Sequence, residues 1–339
     1  MLQGHGDDAY RYNQEIIADF STNVWYGGEP AGLKEQLFQQ WHVLNKYPEV
    51  LAESLAQKIS QHHQLPASHV LVTNGTTESI YLIAQAYHHS TTTITIPAFA
   101  EYEDACQMHG HQLQFINQDV IHPHLQLDKG LFFICNPNNP TGQVFPQLEA
   151  MIKANRDTLF IIDEAFIEFT VSVKSLISLI DTCDNLIILR SLTKAYAIPG
   201  LRLGYIVAHP KLINKLLLCK TPWSVNAFAI AAGHYIFDNI SSLHLPLAQL
   251  FSDKEQFVQQ LQQLSFTINN SHTHYFLAQL PVGTAQQLKA YLITHHRLLI
   301  RDASNFRGLS EQHIRLATLP KDKNELLTDA LKEWIKQYS

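Results

Sequence analysis

The sequence predicts an α/β protein: a three-layer large domain built on a mostly parallel seven-stranded sheet, followed by a smaller α+β domain. Three observations carry this expectation. Between residues 69 and 208 short apolar runs alternate with helical stretches, the rhythm of strands that need a crossover helix to reach a parallel neighbour. Runs such as 159–162 and 186–189 show no polar alternation, as strands covered on both faces do. At 339 residues, 46% of them apolar, the chain also exceeds one typical core.

Residues 1–32 read as an arm, with little periodicity and a Gly27-Gly28-Glu29-Pro30 break. The large domain is expected over 33–239. An amphipathic run through Leu51, Leu55 and Ile59 precedes strands at 70–73, 93–96, 114–116, 131–135, 159–163, 186–190 and 203–207. Helices fill most gaps, at 78–88 and 146–155 among others. From 240 to 339 the spacing loosens: helix 247–264, strands 266–268 and 275–280, helix 285–294, strand 298–301, and a closing helix 322–337. In such open sheets ligands bind at the carboxyl ends of the strands.

Composition narrows the function. A formal net charge of −6 lacks the basic surface that non-specific nucleic-acid binding requires. The four cysteines lie far apart without CxxC spacing and read as reduced and structural. The start of the chain has no signal-peptide layout and no run reaches a membrane span, so cytoplasmic residence is expected. Among 19 histidines, adjacent pairs such as His62-His63 diverge on any regular element and supply no metal site.

Chemistry concentrates at strand ends. Ser191-Leu192-Thr193-Lys194 lies between two apolar runs, with Pro199-Gly200 and Arg202 after it. A lysine leaving a rigid strand among hydroxyls and an arginine suits imine formation next to a bound phosphate. Ser-x-x-Lys also occurs in penicillin-binding proteins, but the Ser-Asp-Asn and Lys-Thr-Gly partners are absent. Asn74-Gly75-Thr76-Thr77 follows a strand and opens a helix, a phosphate cradle by its exposed amides. Phe99 after the next strand could lie on a planar heterocycle. Asn136-Pro137-Asn138-Asn139-Pro140-Thr141-Gly142 is a rigid turn presenting Asn139 as a donor. Asp163 ends an apolar strand and needs a cation or proton donor, such as a pyridinium N–H. Arg301 and Arg315, near strand ends of the small domain, have forks suited to a carboxylate or phosphate.

In this order the motifs resemble the fold-type-I pyridoxal-phosphate (PLP) enzymes over nearly the whole chain. The resemblance implies that Lys194 is the Schiff-base lysine, that Asp163 pairs with the pyridine nitrogen and that Asn139 bonds the ring hydroxyl, with Phe99 stacked on the ring. Gly75, Thr76, Thr77, Ser191, Thr193 and Arg202 would hold the phosphate, and Tyr47 would reach it from the second subunit of a homodimer. Two branches compete. Phe99-Ala100-Glu101-Tyr102, the segment from Asp163 to Phe169, the segment from Arg190 to Arg202, and Pro222-Trp223-Ser224-Val225-Asn226 resemble the threonine-phosphate decarboxylases of cobalamin synthesis. Histidinol-phosphate aminotransferases share the scaffold but usually carry a tyrosine where Phe166 stands. By the same resemblance Arg315 would take the substrate's α-carboxylate, while Arg301, His5 and Asn23 would handle its phosphate. Trp25 and Tyr26 depart from the Asn-x-Asn-Pro-x-Gly of these relatives, at what should be the mouth of the site. A PLP-binding regulator without turnover is the remaining alternative, and the chain has no appended DNA-binding segment.

Overall fold

The computed structural model of the protein describes residues 6–338. The arm carries one short strand, β1 (Ala18–Asp19). Seven more follow: β2 (Val70–Thr73), β3 (Thr91–Ile96), β4 (Gln112–Asn117), β5 (Gly130–Cys135), β6 (Thr158–Asp163), β7 (Leu186–Ser191) and β8 (Gly204–Ala208). They form a single sheet in the order β2-β8-β7-β6-β5-β3-β4. Only β8 is reversed, antiparallel to both β7 and β2. It follows β7 through the short turn Pro199–Leu201, and without a crossover helix the chain cannot return parallel.

The middle of this sheet is dry. Phe132, Phe133, Ile161, Ile162, Ile187 and Ile188 are all fully buried, as expected of strands with helices on both faces. Strand β3 begins two residues earlier than its apolar run because Thr92 is satisfied inside, its hydroxyl 2.7 Å from His111 Nδ1. The helix Gly75–Ala86 likewise starts three residues before the expected position. There the Glu78 carboxylate turns back to accept the Asn74 N–H at 2.5 Å and closes the first turn.

The remainder builds a second, four-stranded antiparallel sheet from β9 (Thr267–Ile268), β10 (Tyr275–Gln279), β12 (Arg301–Asp302) and β13 (His313–Ala317), in the order β12-β13-β10-β9. The strand expected at 298–301 is divided. Its first half, β11 (Leu298–Leu299), pairs in parallel with β1, while β12 pairs with β13. The chain changes partner at Ile300, which is itself fully buried. Two apolar clusters result, one around the large sheet and one among the helices Leu247–Gln263, Ala285–Tyr291 and Lys321–Tyr338, and Ala18 and Phe20 of the arm join the second. Among the described residues no helix is long and apolar enough to cross a membrane, and no group of three or more His, Cys, Asp or Glu could hold a metal. All four cysteines are free.

Candidate active site

The carboxyl ends of β2, β3, β5, β6 and β7 open into a cavity of 420 Å³. Thr76, Thr77, Phe99, Asn139, Asp163, Thr193, Lys194 and Arg202 all line it, and Asn23 and Arg315 join from the arm and from β13. These side chains are separated by up to 292 positions in sequence, between Asn23 and Arg315, and the fold brings them around a single cavity.

Asp163 is the last residue of β6 and is buried. Its Oδ2 accepts the Tyr102 hydroxyl at 2.6 Å and its Oδ1 accepts the Ala165 N–H at 2.9 Å. Burial pushes its pKa up, and the two donors and the Lys194 charge pull the other way. A carboxylate has about four lone-pair sites, so room remains for one more donor from the cavity. Across the cavity Lys194 is pushed down to about 8, by burial first and then by Arg315 and Arg202, with Asp7 and Asp163 partly offsetting them. A lysine so placed holds a usable neutral fraction near neutral pH.

The opposite wall suits a phosphate. The first amides of the helix Gly75–Ala86 have no intrahelical acceptor. Gly75 has φ +73°, and a Cβ there would stand 2.5 Å from the Arg202 guanidinium. That contact shows how closely Arg202 covers the cradle. Arg202 is itself left-handed (φ +58°) and donates to the Pro199 carbonyl at 3.1 Å. Gly75 and Ser191 do not line the cavity directly. Gly75 supplies the backbone behind Arg202, and the Ser191 hydroxyl lies 2.8 Å from that of Thr193.

On the remaining side Arg315 Nη1 donates to Asn139 Oδ1 at 2.6 Å and Nη2 donates to the Ser21 carbonyl. The first bond fixes the flip of the Asn139 amide, so its Nδ2 stays free to donate. The turn beneath is pinned by Tyr275, whose hydroxyl donates to the Asn138 carbonyl at 2.8 Å, and by Asn138 Nδ2 on the Pro97 carbonyl at 3.2 Å. Burial and the nearby Arg301 push Arg315 down to about 9. Lys194, Arg202 and Arg315 thus face a cavity whose buried acid is Asp163, an excess of positive charge that calls for an anionic ligand.

Other expected residues stand elsewhere. Arg301 does not line the cavity: it lies opposite Arg315 in register, and its guanidinium donates to the Asp302 carbonyl at 2.5 Å and to Asn305 Oδ1 at 2.7 Å. Tyr47 is 85% exposed and rests on Trp223 with ring centres 5.4 Å apart, away from this chain's cavity. His5 lies outside the described residues. Trp25 and Tyr26 are not at the mouth. Trp25 lines a separate cavity with Glu168 and Tyr196, and Tyr26 packs between the two apolar clusters. Backbone pairing sets this direction, because the Trp25 N–H donates to the carbonyl of Lys194 itself at 2.9 Å.

Three cavity residues with titratable side chains were not among the candidate site residues. Tyr102 sits in the first turn of the helix after β3, four positions before Cys106 on the same buried face. Cys135 pairs in register with Asp163, so the strand alignment points to it. Asp7 at the rim carries no sequence signal.

The fit of these residues to a phosphorylated, proton-bearing ring agrees with comparisons to known proteins. The model of the family "Aminotransferase class I and II" matches residues 16–331. The chain is 33% identical over 331 residues to a threonine-phosphate decarboxylase of Salmonella typhimurium, covering 93% of this chain and 90% of that protein. A histidinol-phosphate aminotransferase of Caldanaerobacter subterraneus is 28% identical, over 86% and 84% of the two chains. The crystal structure of L-threonine-O-3-phosphate decarboxylase from Porphyromonas gingivalis superimposes with a TM-score of 0.90 at 35% identity, covering 94% of this chain and all of that one. With a family model spanning most of its length and a relative above 30% identity along both chains, this chain belongs to the aminotransferase class I and II family.

Proposed function

We propose that the protein is a PLP-dependent decarboxylase of L-threonine O-3-phosphate, forming 1-amino-2-propanol O-phosphate. The observation that carries this reading is the likeness to decarboxylases over 93% and 94% of the chain, at 33% and 35% identity. Phe166 agrees with it. It lines the cavity with its ring 4.9 Å from that of Tyr275 and offers no hydroxyl where the aminotransferase branch usually has one.

In this reading Lys194 would hold the cofactor through its carbonyl, Asp163 would keep the ring nitrogen protonated, and Asn139 Nδ2 would donate to the ring oxygen. Phe99 would stack on the ring, and Thr76, Thr77, Thr193 and Arg202 would hold its phosphate, with Gly75 and Ser191 supporting them from behind. When bound, PLP supplies an electron-withdrawing ring that accepts the electron pair of the broken bond. Arg315, already oriented by Asn139 and Ser21, takes the substrate carboxylate. Asn23 reads the substrate's phosphorylated end with His5, and Arg301 joins only after releasing Asn305. Lys194, which lines the same cavity as Arg315 and Asn23, would return a proton to the carbon that loses carbon dioxide.

The proposal includes a homodimer, in which Tyr47 enters the partner's site. Phe38, Trp41, Tyr47 and Trp223 are each about half exposed or more, an apolar patch of the kind that marks an interface. It also divides the chain into an arm (1–32), a PLP-binding domain (33–239) and a small domain (240–339). The test incubates the purified protein with PLP and L-threonine phosphate, and separately with histidinol phosphate plus 2-oxoglutarate. Carbon dioxide from the first supports the assignment. Glutamate from the second replaces it with transamination.

A further inference from the structure

The segment 271–274 has no part in the chemistry above, yet it meets three walls of the site. Its backbone joins the Asn139 turn through the His272 N–H on the Gly142 carbonyl at 2.8 Å. It also joins the strand bearing Arg315, through the Thr318 N–H on the His274 carbonyl at 2.8 Å. At its end the His274 ring is buried and lies flat on Phe169, with centroids 3.9 Å apart and planes 28° from parallel.

His274 Nε2 stands 3.1 Å from the backbone carbonyl of Asn23. A carbonyl can only accept, so Nε2 carries the proton and Nδ1 is bare. Nδ1 indeed has no partner among the described residues. Burial, then Arg315, Lys254 and Lys194, hold the ring neutral with a pKa of about 3, against the pull of the Asn23 carbonyl. The bond therefore persists through the physiological range. Asn23 is itself 4% exposed, lines the cavity, and has neither Oδ1 nor Nδ2 bonded to any described residue. A buried amide without partners is costly unless a ligand completes it.

We infer that His274 is a positioning residue: its Nε2–H holds the Asn23 backbone so that the Asn23 carboxamide faces the bound substrate. The inference rests on the proposed substrate side of the cavity, although His274 itself touches neither substrate nor cofactor. Deleting the donor leaves the Asn23 carbonyl unsatisfied and frees the stretch that ends in the Trp25 N–H bond to Lys194.

The test compares H274F, which keeps a ring on Phe169 without the donor, with H274Q, whose amide nitrogen reaches the position of Nε2 and keeps a donor there. H274F is expected to raise KM for L-threonine phosphate about tenfold with kcat within about twofold, the loss of one hydrogen bond to a buried acceptor. H274Q stays within about threefold of the parent. Hydrogen exchange at the Trp25 amide, measured on the PLP-loaded enzyme, should be about tenfold faster in H274F only. Unchanged exchange in H274F, or equal impairment of H274Q and H274F, overturns the inference. Should H274F fail to fold, H274A makes the same contrast with H274Q. If the parent enzyme does not decarboxylate the substrate, the proposed function fails while the exchange result still decides on His274.

Discussion

Replacing Tyr102 with phenylalanine removes one atom from the site and leaves the packing in place. The Tyr102 ring is fully buried and stacks on Phe133, 5.4 Å between centroids and 26° from parallel, a contact that phenylalanine retains. What is lost is the hydroxyl donated to Asp163 Oδ2 at 2.6 Å. Burial holds that hydroxyl far above its ordinary pKa, so it is always a donor. A hydrogen bond to a charged group contributes about 1.5–3 kcal/mol, and one pH unit corresponds to about 1.4 kcal/mol. Y102F should therefore raise the Asp163 pKa by about one to two units beyond its already raised value. The sign follows from which form is stabilised: the bond favours the carboxylate, so its loss favours the neutral acid, which no longer offers the negative charge that would hold the pyridine nitrogen protonated. The assay is kcat/KM for L-threonine phosphate between pH 5.5 and 9 with PLP bound. The acid limb of Y102F should move up by about one to two units, and activity should recover toward the parent at high pH. An acid limb that stays in place would refute the assignment of Tyr102 as the group that keeps Asp163 charged.

Three further outcomes are expected. K194M should lose the visible absorption band of bound PLP. Without cofactor, the ammonium of Lys194 is held less tightly in the folded chain than in the unfolded one, so its contribution makes stability rise with pH between about 8 and 10.5. Chemical denaturation of K194M should lack up to about 3 kcal/mol of that rise, an upper bound because the cavity admits water; an identical slope in both proteins argues against a buried amine. G75A forces a left-handed alanine, costing about 1–2 kcal/mol, and drives its Cβ into Arg202, so fluorescence titration should find PLP affinity down at least about tenfold. R315K cannot keep the bonds to both Asn139 and Ser21. Its KM should rise about tenfold or more, and an unchanged KM would remove Arg315 from the carboxylate role.

The parts of the site visible in the sequence are those held by short-range geometry. Lys194, Asp163 and the 136–142 turn each follow an apolar strand directly, so reading the strand locates the residue. Tyr102 and Cys135 were hidden because their link to Asp163 exists only once β3, β5 and β6 lie side by side. Arg301 shows the opposite case: its strand was recognisable, but the direction of its guanidinium depends on Asn305, four residues later, and on the carbonyl of its neighbour Asp302.

The arm is where side-chain identity was least informative, because backbone bonds place it. Phe20 donates to the Leu299 carbonyl at 2.7 Å, Ala317 donates to the Phe20 carbonyl at 2.9 Å, and Trp25 donates to the Lys194 carbonyl at 2.9 Å. Such bonds form with almost any residue, so they leave little trace in composition. They also fix direction: with Asn23 facing the cavity and Trp25 anchored by its own N–H, the rings of residues 25 and 26 fall on the outer side. The unusual Trp25-Tyr26 pair can therefore alter how the arm packs without touching what the cavity binds. The same bond places the stretch that carries Asn23 two residues from a direct tie to Lys194. The lysine does not depend on that tie alone, because its own segment is pinned by the Ile198 N–H on the Thr193 carbonyl at 3.2 Å and the Leu192 N–H on the Leu203 carbonyl at 3.1 Å, so loosening at Asn23 should be felt in substrate binding well before it is felt at Lys194.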